Sequence, residues 1–392
     1  MTEWIECTLD KLGEIVGGAT PSTKCEDYYG GSIPWITPKD LSSFKGRYIT
    51  SGERNITEKG LASCSAQMMP KDAVLFTSRA PIGYVAIASQ SVCTNQGFKS
   101  IVVNEKADPL FVYYLLKYNK DAIEAMGSGT TFKEVSGKTM RAVKVRIPLD
   151  VSYQNRIAAV LDSLDTKIEN NERINDNLQQ QLFSLYENMA TASPCLKEYT
   201  LSNLCDFQEG YVNPPQTHPE YFDGEVKWLR AVDINESFII ETSRTLTKAG
   251  FESAKKSALL FEPNTIAISK SGTIGRLGII ADYMCGNRAV INIAPHDTNM
   301  LAFIYCFLKS KQREFPDMAV GSVQKNLSVS LLELLSVSIP DNESLTAFNA
   351  VGASILGMIQ NNCVENTDLA NLRDTILPKL MSGEIDVSSV LL

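Results

Sequence analysis

The stretch SYQNRIAAVLDSLDTKIENNERINDNLQQQLFSLYENMA, from Ser152 to Ala190, contains neither proline nor glycine. Apolar residues recur in it at Ile157, Leu161, Leu164 and Ile168, and again at Leu178, Leu182, Leu185 and Met189. The steps are 4, 3 and 4 both times. That is a heptad seam, and it predicts one long helix that needs a coiled-coil partner. Continued from Ile168, the seam passes through Asn171 and Asn175, polar where the pattern asks for apolar. A second segment supplies the partner: Phe348, Ile355 and Ile359, then Asn362 and Asn366, then Leu369, Ile376 and Leu380. Its asparagine pair falls 191 residues on. If the two helices pack antiparallel, Asn171 lies near Asn366 and Asn175 near Asn362, a buried polar layer that costs stability but fixes register. The alternative is that these asparagines face solvent at a local break. Gly352 and Gly357 weaken the second helix, and Pro378 should end or kink it.

Outside the helices the chain repeats itself. Thr8-Leu9 and Leu12 match Thr200-Leu201 and Leu204; Trp35 and Asp40 match Trp228 and Asp233; Ile82-Gly83 matches Ile274-Gly275. Cys93 and Asn95 match Cys285 and Asn287, Gly129 matches Gly321, and Ile147-Pro148 matches Ile339-Pro340. The offsets stay between 190 and 193 throughout, the mark of a tandem duplication. Each copy opens with about 150 mixed residues. Short β-rich runs (Ala73 to Phe76, Thr265 to Ile268) lie between Gly, Pro and Asn punctuation, and a helical stretch follows (Leu110 to Ala125, Asn299 to Arg313). The expected fold is α+β: two mixed α/β domains, residues 1–150 and 193–341, joined by long antiparallel helices over 151–192 and 342–392. Paired copies usually close by a dyad, so the molecule should be pseudo-twofold symmetric.

Composition excludes several classes. A chain of 392 residues with 44% hydrophobic and 21% charged residues suits two globular domains, not wholesale disorder. The longest apolar run, Met300 to Leu308, is too short to span a bilayer, so no membrane is expected. The N-terminus lacks the basic region and apolar core of a secretion signal, and the nine cysteines include no Cys-x-x-Cys pair. A reduced, cytoplasmic chain fits best. The only histidines, His218 and His296, lie in Pro- or Asp-rich loops, and no Cys/His spacing suits a metal. Residues 1–150 carry a net charge of +2 and residues 191–340 a net −2, whereas 151–190 and 341–392 carry −3 and −5. A binder of any polyanion would be basic. This chain either avoids nucleic acid or binds it sequence-specifically, with a basic partner supplying phosphate contacts.

Three motifs suggest chemistry and fall short of it. Asn213-Pro214-Pro215-Gln216 is like the Asn-Pro-Pro-aromatic motif of amino-methyltransferases, but ends in Gln and follows no Gly-rich cofactor loop, so it reads as a turn. Gly137-Lys138-Thr139 lacks the leading glycine of a phosphate loop. Glu225-Val226-Lys227 could close a nuclease motif with Asp206, yet the first copy has Ser32-Ile33-Pro34 there. More useful are clusters duplicated in place but varied in identity. Ser78 and Arg79 correspond to Lys270 and Ser271; Asn95-Gln96 to Asn287-Arg288; Thr131 and Lys133 to Gln324 and Lys325. Lys39 and Arg230 flank the Asp40 and Asp233 turns. Arg, Lys, Asn and Gln read base edges in the major groove, and Ser and Thr suit phosphates. Two scaffolds with different polar tips would read two different sequences; ordinary solvated loops are the bland alternative.

Taken together, the repeat, the helices and these loops resemble the specificity (S) subunit of type I restriction–modification systems. The resemblance covers essentially the whole chain. It is carried by Leu12-Gly13-Glu14-Ile15, by Tyr29-Gly30-Gly31 with Ile33-Pro34-Trp35, and by Cys93-Thr94-Asn95-Gln96-Gly97. Gln154-Asn155-Arg156-Ile157 and the ending Leu377-Pro378-Lys379-Leu380-Met381-Ser382-Gly383-Glu384-Ile385 add to it. Copy two departs at Arg288-Ala289, where copy one has Gln-Gly. The resemblance implies two target recognition domains, each reading half of an asymmetric, bipartite site in double-stranded DNA, with the helices as a ruler. A helix of about 39 residues spans roughly 58 Å, and DNA turns once per ~34–36 Å. It also implies no catalysis and no cofactor in this chain. Two modification (methyltransferase) subunits would bring S-adenosylmethionine and flip and methylate adenine, and restriction subunits would bring ATP and Mg. Three alternatives stay open: an enzyme in its own right, the separate recognition subunit of another bipartite restriction enzyme, and a duplicated scaffold that binds protein only.

Overall fold

Apolar strands punctuated by glycine and proline build the same set of sheets twice. The computed structural model describes residues 3–42, 44–129, 133–192, 197–321 and 325–390. It divides into two compact units, residues 1–169 with 369–392, and residues 170–368. The boundaries expected at 150, 192 and 341 follow element ends; the packing boundaries fall inside the two long helices instead. The reason is burial: each half-helix inserts its seam into the core of one unit. Ile157, Ala158 and Leu161 share a core with Leu380, Met381 and Val387, while Leu182 shares one with Phe348, Ile355 and Ile359.

In the first unit a five-stranded sheet runs, in spatial order, Gly13–Gly17, Lys99–Val103, Val74–Ser78, Ile82–Ala88 and Tyr48–Ile49. Neighbours are antiparallel except the last pair, which is parallel. A smaller sheet places Tyr29–Ile36 between Asn55–Ile56 and Cys93–Thr94, and Trp4–Thr8 pairs with Lys144–Pro148. Val74–Ser78 is buried at every position. Val74 and Phe76 face the core under the helix Pro109–Tyr118, and Leu75 faces a second core with Ala86 and Phe98. A strand buried on both faces needs no polar alternation. The second unit repeats the strand order: Cys205–Glu209, Val290–Pro295, Ile266–Ser269, Leu277–Ile280, Phe238–Ile239. Even the register recurs, Trp35 opposite Cys93 and Trp228 opposite Cys285.

The expected helix over Leu110 to Ala125 is two helices, Pro109–Tyr118 and Lys120–Ala125, parted at Asn119. Asp108 starts the first by accepting the Phe111 amide at 2.8 Å, with proline in the opening turn. The long helices run Val151–Ala192 and Asn342–Ser382. Pro378 does not end the second. Its missing donor comes within a turn of the end, and Leu380 and Met381, both buried, hold that turn to the core. The chain leaves at Gly383, with φ +78° and the Trp4 ring 2.9 Å from where a Cβ would stand. Gly352 is a close-packing position: a Cβ there would lie 2.6 Å from the Ala302 Cβ.

Within each unit the helix halves run antiparallel, joined by buried polar groups. In the second, Asn171 donates to Asn366 Oδ1 at 2.8 Å and to Glu365 at 2.7 Å, and Asn362 donates to Asn175 Oδ1 at 2.8 Å. Asn171 and Asn175 are buried, not solvated. In the first, Asp165 accepts from the Tyr114 hydroxyl at 2.7 Å and from Arg373 Nη1 at 2.6 Å. Arg47 ties the sheet to the same helix. It donates to Glu169 through Nε at 3.1 Å and Nη2 at 2.9 Å, to Thr166 at 2.9 Å, and to Asp162. Burial alone would lower the Arg47 pKa, but the bond to Glu169 and the Asp162 charge drive it upward.

Candidate nucleic-acid interface

At one end of each sheet the strand-end loops are stitched together by backbone hydrogen bonds. In the first unit, Ala19 donates to the Thr94 carbonyl and Asn95 to the Ile36 carbonyl, both at 3.0 Å. Ser78 donates to the Gly97 carbonyl at 2.7 Å, and Val135 to the Ser78 carbonyl at 3.0 Å. Trp35 Nε1 donates to the Ala19 carbonyl at 3.0 Å and the Tyr29 hydroxyl to the Pro21 carbonyl at 2.7 Å. The Thr20 hydroxyl bonds to the Gln96 side chain. Five loops, around residues 20, 38, 79, 96 and 134, thus form one surface. The second unit is built alike. Asn287 donates to the Leu229 carbonyl at 2.9 Å, Lys270 to Ala289 at 2.7 Å, Leu327 to Lys270 at 3.0 Å, and Trp228 Nε1 to Val212 at 2.8 Å.

Gly18 and Gly210 make the closest approaches. A Cβ on Gly18 would stand 2.2 Å from the Asn95 carbonyl oxygen, and one on Gly210 2.2 Å from that of Asn287. Backbone atoms cannot rotate away, so Gly210→Ala should push the Asn287-Arg288 loop outward, costing about 1–3 kcal/mol. The expected readout is weakened DNA recognition together with a lowered melting temperature; a Gly210→Ala chain with wild-type melting and wild-type DNA binding would contradict this packing.

Several residues expected to contact DNA have other work. Ser78 is fully buried, its hydroxyl donating to the Gly97 carbonyl at 3.2 Å, so it is not a surface contact. Asn95 and Asn287 hold their own turns, Oδ1 accepting the amides of Gly97 at 2.8 Å and Ala289 at 3.0 Å. What each turn displays is the next residue, exposed Gln96 in one unit and exposed Arg288 in the other. Lys133 and Lys325 are also exposed, and Ser271 is half-buried. Thr131 and Gln324 lie outside the described residues. The remaining cations are held by carboxylates: Lys39 by Glu53 at 2.7 Å, Arg79 by Glu134 at 3.5 Å, Lys270 by Glu209 at 2.7 Å, and Arg230 by Asp233 at 3.5 Å. Burial would raise the Glu209 pKa, but hydrogen bonds from Lys270 and Tyr211 outweigh it and the carboxyl is held low. This internal neutralisation accounts for domains that read as nearly neutral yet carry cations at one end.

Two features escaped the sequence reading. Asp40 and Asp233 brace the interface: Asp40 accepts the amides of Thr37 at 2.7 Å and Glu53 at 2.8 Å, and Asp233 those of Arg230 and Ser243, both at 2.9 Å. Next to each braced segment an arginine lies over an aromatic ring, Arg54 over Tyr29 at 4.2 Å and Arg244 over Phe222 at 4.1 Å from the ring centre. The duplicated Asp and Arg at matching offsets were the available signal. Elsewhere the chemistry is quiet. His218 stacks on Tyr221 and pairs with Glu220 at 2.8 Å, and His296 lies 3.2 Å from Asp206. Burial pushes the thiols of Cys93, Cys205, Cys285 and Cys306 up to about 12, unsuited to a nucleophile. Among the described residues no His, Cys, Asp and Glu group could hold a metal ion, and no helix is long and apolar enough to cross a membrane.

A duplicated α+β scaffold that sets the same bracing residues beneath different polar tips is a recognition protein of the two-domain kind. Residues 1–180 and 196–368 match the family described as Type I restriction modification DNA specificity domain. The chain is 32% identical to the Type I restriction enzyme MjaIX specificity subunit of Methanocaldococcus jannaschii, over 99% of this chain and 95% of that one. It is 28% identical to the EcoR124I/EcoR124II specificity subunit of Escherichia coli over 50% of each. The crystal structure of a type I S subunit from M. genitalium superposes with a TM-score of 0.57 at 18% identity, covering 97% of this chain and 96% of that one. The chain belongs to the type I restriction–modification DNA specificity family, and is a non-catalytic specificity subunit.

Proposed function

We propose that the two units read the two halves of an asymmetric, bipartite DNA site, each through its own loop cluster. The carrying observation is the pair of matched turns that present Gln96 in one unit and Arg288 in the other from the same asparagine-locked backbone. Glutamine bonds to adenine and arginine to guanine in the major groove, so the same turn would select different bases. Arg79, Lys133, Lys270 and Lys325 lie on the loops beside these turns and would exchange carboxylate partners, where they have them, for phosphates. The length of the two helices would count the unread bases between half-sites.

The partners are two modification subunits, which bind S-adenosylmethionine and methylate adenine, and restriction subunits that use ATP and Mg; this chain needs no cofactor. A cytoplasmic location follows from that role. Support for protein docking lies on the helices, whose excess acid suits protein better than phosphate. Ile174, Leu185, Val351 and Met358 are also exposed there, apolar where a solitary helix would be polar. The complex with modification subunits should bind its own duplex at least ~10³-fold more tightly than random duplex at physiological salt. Equal affinity for both would favour a protein-only scaffold.

A further inference from the structure

We propose that Arg54 and Arg244 are backbone-phosphate contacts, one in each unit, that position the loops without reading sequence; this rests on the two units being DNA-reading domains. The argument starts from the duplication. Half-sites of different sequence share little but their sugar-phosphate backbone. Side chains that read bases should therefore differ between the copies, and side chains that grip the backbone can stay the same. Exposed Gln96 against exposed Arg288 is of the first kind. Arg54 and Arg244 are of the second: each precedes the short strand, Asn55–Ile56 or Thr245–Leu246, that pairs with the strand bearing the ring.

Identity alone is not enough, since Asn95, Asn287, Asp40 and Asp233 also recur, but their side-chain oxygens are occupied inside the protein. The two arginines are not so occupied. No ion pair or hydrogen bond engages Arg54 among the described residues, and Arg244 donates only to the neutral Gln216, at 2.9 Å. The other cations of this surface with partners have carboxylates. A guanidinium lying on a ring keeps its N–H edges free, and the ring limits the freedom it loses on binding. The location suits the role. The Tyr29 hydroxyl bonds to the loop carrying Thr20, which reaches Gln96; Phe222 packs at a tilt against Trp228, which bonds to the loop leading to Gln216. Asp40 and Asp233 pin the backbone at Glu53 and Ser243, one residue before each arginine.

The test uses the full chain in complex with its modification subunits and a duplex carrying the methylated motif, titrated by anisotropy between 50 and 200 mM salt. Arg54→Ala and Arg244→Ala should each weaken binding on the order of tenfold. Each should also reduce the slope of log K against log salt by about 0.9, and leave the methylated motif unchanged. Arg54→Lys and Arg244→Lys, which keep the charge and guard against misfolding of the alanine variants, should retain the wild-type slope. Relaxed preference at one base position would overturn the proposal in favour of base reading. Unchanged affinity and slope would overturn it in favour of packing alone. If the wild-type complex itself fails to prefer its site in the same titration, it is the DNA-reading assignment that fails.

Discussion

Asp165→Ala should destabilise the unit formed by residues 1–169 and 369–392 by about 2–4 kcal/mol, because it removes the buried carboxylate shared by the Tyr114 hydroxyl and the partly buried Arg373 guanidinium. Asp165 is 6% exposed and serves two partners from different elements, the Tyr114 hydroxyl and the Arg373 guanidinium. Burial pushes the Tyr114 hydroxyl pKa up, and the Asp165 charge pushes it further, so this tyrosine remains a donor. Removing the carboxylate leaves the Tyr114 hydroxyl facing a cavity and leaves Arg373, among the described residues, with Asp374 as its remaining anion. In a unit of this size the loss corresponds to a melting shift of roughly 10 °C, readable by scanning calorimetry. The control is the pair Asp165→Leu with Arg373→Met. Removing both charges together should recover most of the loss, since a buried ion pair exceeds a well-packed apolar pair by little. A loss under about 1 kcal/mol for Asp165→Ala would contradict the buried network.

Exchanging residues 193–341 for the matching segment of a relative with another specificity should replace one half-site and leave the other intact. The cut is physically sound in one respect: Lys197–Thr200 and Ser336–Ile339, which pair with each other, travel together. It is demanding in another. Leu182, Tyr186, Phe348 and Ile355 stay behind and must meet a foreign surface where Phe303 now meets Tyr186 edge to face, ring centres 5.6 Å apart. A donor with a large apolar residue at that position should be chosen. Each mismatched base costs about 1–3 kcal/mol, so loss of three or more contacts should abolish methylation at the old site by at least ~10²-fold. If both half-sites changed together, the units would not read independently.

Much of the fold was legible in sequence because its strongest signals are periodic. The 4, 3, 4 steps from Ile157 and Leu178 gave the helix, and the offsets of 190 to 193 gave two equivalent domains. What could not be read was how the cores divide. A heptad seam says that a helix is buried on one face, not which domain covers which half, so the packing boundary near 169 and 368 is a tertiary fact. At Pro378 local propensity argues for an end or a kink; the helix does not end there but runs on to Ser382, its last turn held by the burial of Leu380 and Met381. At the interface, residue type was a partial guide. Asn95 and Asn287 are chemically able to read bases, but their turns claim the side-chain oxygen first. Ser78 sits at a strand end that the sequence places in a loop. Arg54 and Arg244 were missed because only the folded sheets bring them over Tyr29 and Phe222.

The most direct test is to coexpress the chain with its modification subunits and map methylated adenines genome-wide by long-read sequencing. The expected result is one bipartite, asymmetric motif with a fixed gap, its two halves assignable to the two units by the exchange above. A stable complex supplied with S-adenosylmethionine that adds no new methylation, or one that methylates a single continuous motif, would contradict two independent reading domains.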